Sequence, residues 1–216
     1  MSHFQNRMEA GRKLAKRLAA YRGLDDLVVL ALPRGGVPVA FEIAEALAAP
    51  LDLCLVRKLG LPGHEELAFG AIASGGIRVI NDEIAVAAGL TAEEVDLVVN
   101  REVLELARRE RLYRGNQPGF NPAGKTIILV DDGLATGATM RAALTSLLAA
   151  LPRRIIVALP VAASESCRDL ARFDPSVSLI ALLTPEDLQA VGLWYDDFSP
   201  VEDDEVIRLL TLQRSR

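Results

Sequence analysis

The most constraining feature of this 216-residue chain is an apolar run that ends in two acids and a loop of small residues. Ile127–Val130 contains no polar residue, which is typical of a strand buried on both faces of a parallel sheet. Asp131 and Asp132 follow at once, and after a short loop the sequence favours a helix. Because ligands of parallel α/β sheets bind beyond the carboxyl ends of the strands, this segment predicts a binding site.

The loop after the two acids suits a phosphate group. Its glycines and alanines let backbone N–H groups approach an anion closely, Thr136 and Thr139 add hydroxyl donors, and the amino end of the next helix favours negative charge. Asp131 and Asp132 can accept hydrogen bonds from sugar hydroxyls or hold water around a hard cation. The segment therefore predicts a site for a phosphorylated sugar, and an ordinary strand-to-helix turn with a capping threonine is the alternative.

Residues 127–139 closely resemble the phosphoribosyl pyrophosphate (PRPP) signature of the type I phosphoribosyltransferases, in which a hydrophobic strand precedes two acids and a Thr-Gly turn. The resemblance implies that Asp131 and Asp132 are catalytic residues that face the ribose hydroxyls. It implies that the 5′-phosphate is bound by Ala135, Thr136, Gly137, Ala138 and Thr139. It also implies Mg²⁺ as the cofactor, held mainly through PRPP and water with no direct protein ligand.

A second glycine-containing loop, Pro33-Arg34-Gly35-Gly36, follows the apolar run Leu27–Leu32. It resembles the pyrophosphate loop of the same family, in which backbone amides without side-chain bulk contact the diphosphate. Arg34 adds positive charge and is a further candidate catalytic residue. The resemblance implies a non-proline cis peptide beside Arg34. A simple turn is the alternative, because proline and two glycines also permit it.

Arg57 and Lys58 end the predicted second strand, where cations would neutralise the charge of the leaving pyrophosphate. Lys58 is also a candidate catalytic residue, and a solvated strand end is the alternative for the pair. Residues 59–76 correspond in position to the flexible loop of the family, which closes over the reacting centre. Glu66 in this loop is one candidate for moving a proton.

Alternating strands and helices predict an α/β fold: an open, mainly parallel five-stranded sheet flanked by helices. The predicted strands are Leu27–Leu32, Leu51–Val56, Ile127–Val130, Arg154–Leu159 and Val177–Leu183. Residues 1–183 form the predicted phosphoribosyltransferase-like core, which includes a helical insertion at 81–118. Thr91 and Glu94 have the spacing of a capping box at the start of a long helix in that insertion.

Two further helix starts and an apolar stripe are predicted from local patterns. Ser164 is the expected N-cap of one helix, and Thr184 with Pro185 is expected to begin another. The acidic run from Glu202 is expected to start the last helix. The stripe after the phosphate loop consists of Met140, Ala143, Leu144, Leu147, Leu148 and Leu151.

Residues 184–216 occupy the place of the variable hood of the family, a small subdomain that holds the acceptor. Trp194, Tyr195 and Phe198 are predicted to stack on a planar ring, and Asp196 or Asp197 to accept hydrogen bonds from ring N–H groups. Packing of these aromatic side chains in the core is the alternative.

The resemblance implies a phosphoribosyltransferase that moves the 5-phosphoribosyl group from PRPP to a nitrogenous acceptor, a nucleobase or related ring, with Mg²⁺-assisted release of pyrophosphate. Some purine-specific members carry an acid at the position of Ala135, so this loop does not support purine specificity. The alternative is a PRPP-sensing regulatory or binding protein without turnover. A sugar-phosphate hydrolase would need a positioned water and base that the sequence does not identify.

Composition and charge restrict the kinds of partner that this chain can bind. The formal net charge of −5 argues against a broad nucleic-acid surface, and the chain lacks an apolar stretch of membrane-spanning length. Met1–Arg22 is charged and has no apolar core of a secretory signal, so a cytoplasmic protein is expected. Cys54 and Cys167 lie in apolar segments and are expected to be reduced core residues. PRPP and a small acceptor are the predicted partners, and homodimer formation is left open.

Overall fold

The computed structural model describes residues 3–115, 117 and 119–215, without the side chains of Glu65 and Glu66. The candidate proton carrier Glu66 therefore lies outside the described side chains. The chain forms two compact units. One contains Met1–Cys54, Ala123–Gly137 and Pro152–Arg216, and the other contains Leu55–Pro122 and Ala138–Leu151. The predicted division between a core and a hood at residue 183 is not a boundary of these units and stays a prediction about function.

Eight strands and seven α-helices are described. In chain order the strands are β1 Leu27–Ala31, β2 Leu51–Leu53, β3 Val56–Leu61, β4 His64–Ala73, β5 Ile77–Ile80, β6 Thr126–Val130, β7 Arg154–Val161 and β8 Val177–Leu183. The helices are α1 Arg7–Arg17, α2 Gly36–Leu47, α3 Asp82–Ala87, α4 Ala92–Arg114, α5 Ala138–Ala149, α6 Ser164–Phe173 and α7 Asp203–Arg214.

The first unit is built on a parallel sheet with the strand order β2-β1-β6-β7-β8. This confirms the predicted five-stranded parallel sheet flanked by helices. β1 and β6 are direct neighbours, with Ala31 opposite Val130, so their carboxyl ends lie side by side. The two loops singled out in the sequence therefore begin next to each other.

The core of this unit explains why the apolar runs form strands. Every residue of β1 and of β6 is buried, as expected for strands covered on both faces. Burying one leucine-sized side chain contributes roughly 1.5–3 kcal/mol, so these runs stabilise the sheet strongly. The acidic run begins α7 as predicted, with Glu202 as the N-cap residue.

The second unit contains an antiparallel sheet, β3-β4-β5, together with α3, α4 and α5. The predicted capping box of α4 is confirmed, since Thr91 and Glu94 exchange both hydrogen bonds. Residues 59–76 do not form an irregular loop, because β3 and β4 pair through them and turn at Gly63, whose φ is 78°. Closure of this hairpin over a reacting centre stays a prediction.

Four local predictions were wrong. The second strand ends at Leu53, and Arg57 and Lys58 belong instead to β3 of the antiparallel sheet. The N-cap of α6 is Ala163, because the Ser164 hydroxyl donates to the Thr184 carbonyl oxygen at 2.8 Å.

The other two concern helix ends. Pro185 does not begin a helix, and its carbonyl oxygen accepts from the Ser164 amide at 3.0 Å. Leu151 lies beyond the end of α5, with a left-handed φ of 54° and an exposed side chain, so it does not complete the apolar stripe. Of the two cysteines, Cys54 is buried as predicted, whereas Cys167 is partly exposed. No helix in the described parts of the chain has the length and apolar character needed to cross a membrane.

Candidate active site

Two loops meet at the carboxyl ends of β1 and β6. The Leu32 amide donates to the Val130 carbonyl oxygen at 2.9 Å, which extends the pairing of the strands to the start of the first loop. The Pro33–Arg34 peptide is cis, as the resemblance implies. The Gly36 amide then donates to the Leu32 carbonyl oxygen at 3.1 Å, and α2 begins at Gly36.

The two glycines of the first loop pack directly against the two acids of the second. A Cβ atom on Gly35 would lie 2.0 Å from Oδ2 of Asp132. A Cβ atom on Gly36 would lie 2.7 Å from the Val130 carbonyl oxygen and 3.0 Å from Cα of Asp131. Real Cβ atoms do not approach other atoms to 2.0 or 2.7 Å, so the Gly-Gly pair is required for this approach of the backbone to the acids.

Asp132 is held by a buried arginine that the sequence analysis did not select. Nε of Arg7 donates to Oδ2 of Asp132 at 2.8 Å, and Nη1 of Arg7 donates to the Ser199 carbonyl oxygen at 2.8 Å. The guanidinium carbon lies 3.8 Å from the centroid of the Phe198 ring. Hydrogen bonds on two sides and an aromatic face fix Arg7, and Arg7 in turn fixes the Asp132 carboxylate.

Tyr195 lies behind the same acid and is not available for stacking on an acceptor. Its ring is buried, with its centroid 5.4 Å from that of Phe4 and 5.0 Å from that of Phe198. Its hydroxyl donates to the Asp132 carbonyl oxygen at 2.5 Å. Burial, followed by the charge of Asp132, raises the pKa of this hydroxyl, so Tyr195 acts as a neutral donor. The structure therefore places Tyr195 in the core, which corrects its assignment to acceptor binding.

The two carboxylates lie together with little access to water. The Asp132 amide donates to Oδ1 of Asp131 at 2.9 Å. Burial, and then the neighbouring charge of Asp132, raise the pKa of Asp131 well above its usual value. Burial also raises the pKa of Asp132, although the hydrogen bond from Arg7 opposes this shift. Holding two acids in this way costs stability, and perturbed groups of this kind concentrate at functional sites.

The loop from Gly133 to Gly137 is anchored at its start. The Leu134 amide donates to the Val161 carbonyl oxygen at 2.9 Å, and the Ser166 hydroxyl donates to the Ala135 carbonyl oxygen. Ala135, Thr136 and Thr139 are exposed, and Gly137 has a φ of 76° that favours glycine.

The chain then continues into α5, which begins at Ala138. The first amides of an α-helix have no acceptor within the helix, so this end of α5 suits an anion. Binding of the 5′-phosphate by residues 135–139 stays a prediction.

The cationic side chains that are predicted to bind pyrophosphate differ in their surroundings. Nη1 of Arg34 lies 3.7 Å from carboxylate oxygens of both Glu202 and Asp203 at the start of α7, too far for hydrogen bonds. In the second unit, Nε and Nη2 of Arg57 both lie 2.7 Å from Oε2 of buried Glu102. Arg57 is therefore engaged by a carboxylate, whereas Lys58 is half-buried on the same strand. The role of these cations at pyrophosphate stays a prediction.

The remaining acceptor candidates lie on the surface of the first unit. Trp194 is half-buried against the cluster around Tyr195, and its ring meets that of His3 edge-on at 6.1 Å between centroids. Asp196 is exposed, and its amide donates to the Phe4 carbonyl oxygen at 2.8 Å. Acceptor binding by Trp194 and Asp196 stays a prediction.

Arg7 and Glu102 carried a signal that the sequence analysis missed. Arg7 shares one face of α1 with Ala10, Gly11 and Leu14, all of them buried. Glu102 likewise lies on the buried face of α4. A charged residue at an apolar position of a helical pattern indicates a buried charge that must find a partner.

Replacing Arg7 with methionine is expected to lower the free energy of unfolding by about 3–5 kcal/mol near pH 8, because it leaves the Asp132 carboxylate buried without its cation. Methionine keeps most of the apolar packing on Phe198. Chemical denaturation of both proteins measures the difference.

The matched control is Arg12→Met on the same helix, since Nη1 of Arg12 pairs with Glu42 at 2.8 Å but its side chain is half exposed. That variant is expected to lose no more than about 1 kcal/mol. Equal losses in the two variants would contradict the assigned role of Arg7. The double variant Arg7→Met/Asp132→Asn should recover much of the loss, because it removes both charges.

The parallel sheet, with a glycine loop packed against two acids at its carboxyl edge, is the arrangement expected of the phosphoribosyltransferase class. The chain belongs to the phosphoribosyl transferase family, whose domain model matches residues 2–179.

Comparison with individual proteins agrees with this family. A Mycobacterium tuberculosis (strain H37Rv) protein that is named provisionally as a phosphoribosyl transferase is 42% identical over 210 residues, which cover 97% of this chain and 47% of that protein. The crystal structure of TT1426 from Thermus thermophilus superposes with a TM-score of 0.84 at 39% identity and covers 98% of this chain and 99% of that chain. A bifunctional protein PyrR of Pelotomaculum thermopropionicum is 31% identical over 134 residues, 61% of this chain and 67% of that protein. The chain spans about half the length of the M. tuberculosis relative.

Proposed function

We propose that this chain transfers the 5-phosphoribosyl group from PRPP to a nitrogenous acceptor, a nucleobase or related ring, and releases pyrophosphate with the help of Mg²⁺. The observation that carries this proposal is the contact of Gly35 and Gly36 with Asp132 and Asp131 at the ends of neighbouring strands. A glycine loop beside two carboxylates suits the diphosphate and the ribose hydroxyls of one ligand.

Each part of PRPP has a proposed partner. Asp131 and Asp132 accept hydrogen bonds from the ribose hydroxyls and orient the sugar. The 5′-phosphate is bound by residues 135–139, and the pyrophosphate by Arg34, Gly35 and Gly36 with Arg57 and Lys58. Arg57 would first have to leave Glu102, which now holds its guanidinium group. Positioning and charge stabilisation then supply the catalysis, with no protein nucleophile.

The two acids fit a magnesium ion that is bound mostly by the substrate. Mg²⁺ usually keeps several of its waters when it is bound through substrate phosphates, and Asp131 and Asp132 can accept hydrogen bonds from such waters. Among the described residues, no three His, Cys, Asp or Glu side chains form a cluster that could hold a metal by themselves. When bound, such an ion would supply positive charge at the pyrophosphate, and Asp131 and Asp132 would hold the ribose in place.

Pyrophosphate release tests the proposed reaction. The protein is incubated with Mg²⁺ and PRPP against a panel of nucleobases and small amines, and PRPP binding is measured in parallel by calorimetry. We expect Mg²⁺-dependent release with at least one acceptor, above the rate of PRPP hydrolysis without acceptor. PRPP binding with no release for any acceptor would favour a PRPP-sensing protein without turnover. Absence of PRPP binding would contradict both functions.

A further inference from the structure

A pocket lies at the amino ends of the parallel strands, away from the two acids. It is an open pocket of about 590 Å³, a volume within the range of roughly 300–1,000 Å³ that small-molecule sites occupy. Thr126 and Arg154, the first residues of β6 and β7, line it together with Ser178 of β8. Thr126 and Val130 are the two ends of β6, about 13 Å apart at the usual rise per residue. A small ligand in this pocket would not contact the acids.

Two consecutive arginines supply the positive charge of this pocket. Nη2 of Arg154 donates to the Ser178 hydroxyl at 3.1 Å, and Nη1 of Arg153 lies 3.4 Å from Oδ2 of Asp26. A guanidinium group carries five N–H donors in a planar fork, so these contacts leave most of the donors of both side chains for a ligand. Arginine forks of this kind match the oxygen atoms of a phosphate group.

Asp26 is the acidic residue of the lining, and its charge is already engaged. Its Oδ2 atom accepts a hydrogen bond from the Thr126 hydroxyl at 3.0 Å as well as pairing with Arg153. The lining therefore keeps a surplus of one positive charge, from two arginines against one aspartate. On a chain with a formal net charge of −5, a locally positive pocket favours an anionic ligand.

The rest of the lining suits a planar ring. The guanidinium carbon of Arg154 lies over the Tyr21 ring, 5.8 Å from its centroid, so the cation and the aromatic ring line the pocket together. Leu24 is partly exposed and lines the same pocket with Pro175. An aromatic ring with aliphatic neighbours can pack against a nucleobase, while the arginines bind the phosphate of the same molecule.

We propose that this pocket binds a nucleoside 5′-phosphate, with the phosphate on Arg153 and Arg154 and the base against Tyr21 and Leu24. The site is separate from the PRPP loops. Binding there does not depend on turnover, so the proposal goes beyond the proposed function and can fail independently of it.

Calorimetric titration of variants tests this site. Adenosine, guanosine and uridine 5′-monophosphates are titrated into the wild-type protein and into Arg153→Gln/Arg154→Gln. The matched control is Arg168→Gln/Arg172→Gln, which removes two exposed arginines of α6 that lie outside the pocket. We expect at least one nucleotide to bind the wild-type protein with a binding component that belongs to this pocket. The affinity of this component should be at least tenfold weaker in the pocket variant and unchanged in the control. The same component should persist in Asp131→Asn, which separates it from nucleotide binding at the proposed catalytic centre.

Two further comparisons establish the ligand class. Inorganic phosphate and the matching nucleoside should each bind at least tenfold more weakly than the nucleotide, and Tyr21→Leu should weaken the nucleotide but not phosphate. Thermal unfolding checks that each variant is folded. Identical isotherms for the wild type and the pocket variant would overturn the proposal. It would also be overturned if inorganic phosphate bound as tightly as every nucleotide.

Discussion

Gly35→Ala is expected to reduce the rate of pyrophosphate release by at least about 100-fold, because a misplacement of about 1 Å at a reacting centre has effects of that size. The backbone of Gly35 has φ −59° and ψ −34°, which alanine adopts easily, so the methyl group itself causes the damage. Its carbon would lie 2.0 Å from Oδ2 of Asp132, an atom that Arg7 holds at 2.8 Å. Either the glycine loop or the carboxylate must therefore move.

The same substitution should lower the free energy of unfolding by about 1–3 kcal/mol, the usual cost of overpacking. A double-mutant cycle with Asp132→Ala isolates the cause, since the three atoms nearest to the added carbon all belong to the Asp132 side chain. In the Asp132→Ala background, Gly35→Ala should cost much less stability. A cost that is the same in both backgrounds would contradict the contact, and chemical denaturation of the four proteins measures it.

Asp131→Asn is expected to reduce turnover about ten- to a hundredfold and to raise stability at neutral pH. The activity falls because hydrogen bonds from the ribose hydroxyls to a carboxylate contribute about 1.5–3 kcal/mol, and an amide accepts them less strongly. Stability rises because the folded protein buries this carboxylate, and burial raises its pKa. The amide oxygen of asparagine can still accept the hydrogen bond that the Asp132 amide now donates to Oδ1.

The sign of the stability change follows from linkage. The pKa of Asp131 is raised in the folded protein, so its protonated form is the one that favours folding. That contribution is complete below the unfolded pKa of about 3.9 and is lost as the pH rises through the folded value. The advantage of Asp131→Asn should therefore be absent near pH 3 and grow as the pH increases. Thermal unfolding at a series of pH values from 3 to neutral measures this advantage, and Asp169→Asn at an exposed position is the control. An advantage that is the same at every pH would contradict the burial of this charge.

The sheet and its two loops could be predicted because their signals are local. Four consecutive apolar residues in Ile127–Val130 leave no face for water, and Pro33 followed by two glycines interrupts the chain after another apolar run. The cis peptide before Arg34 followed from the family resemblance. What the sequence did not show is why both glycines are needed: each meets an acid that lies almost a hundred residues further along the chain.

The errors arose where a residue has two competing partners. Ser164 has the chemistry of an N-cap, but β8 ends beside it and offers the Thr184 carbonyl oxygen to its hydroxyl. Tyr195 has the chemistry of a stacking residue, but Phe4 and Phe198 bury its ring. Arg57 has the sequence position of a strand end, but it lies within β3, where Glu102, 45 residues later, holds its guanidinium group. Such choices depend on tertiary contacts that local patterns do not encode.

The most direct measurement is a crystal structure of this chain with PRPP and Mg²⁺. We predict the ribose hydroxyls within about 2.6–3.2 Å of the Asp131 or Asp132 carboxylates, the usual hydrogen-bond range. The 5′-phosphate should lie on the amides of residues 135–139, and the pyrophosphate beside Arg34, Gly35 and Gly36. PRPP bound elsewhere, with both carboxylates turned away from the sugar, would contradict the assignment of this site.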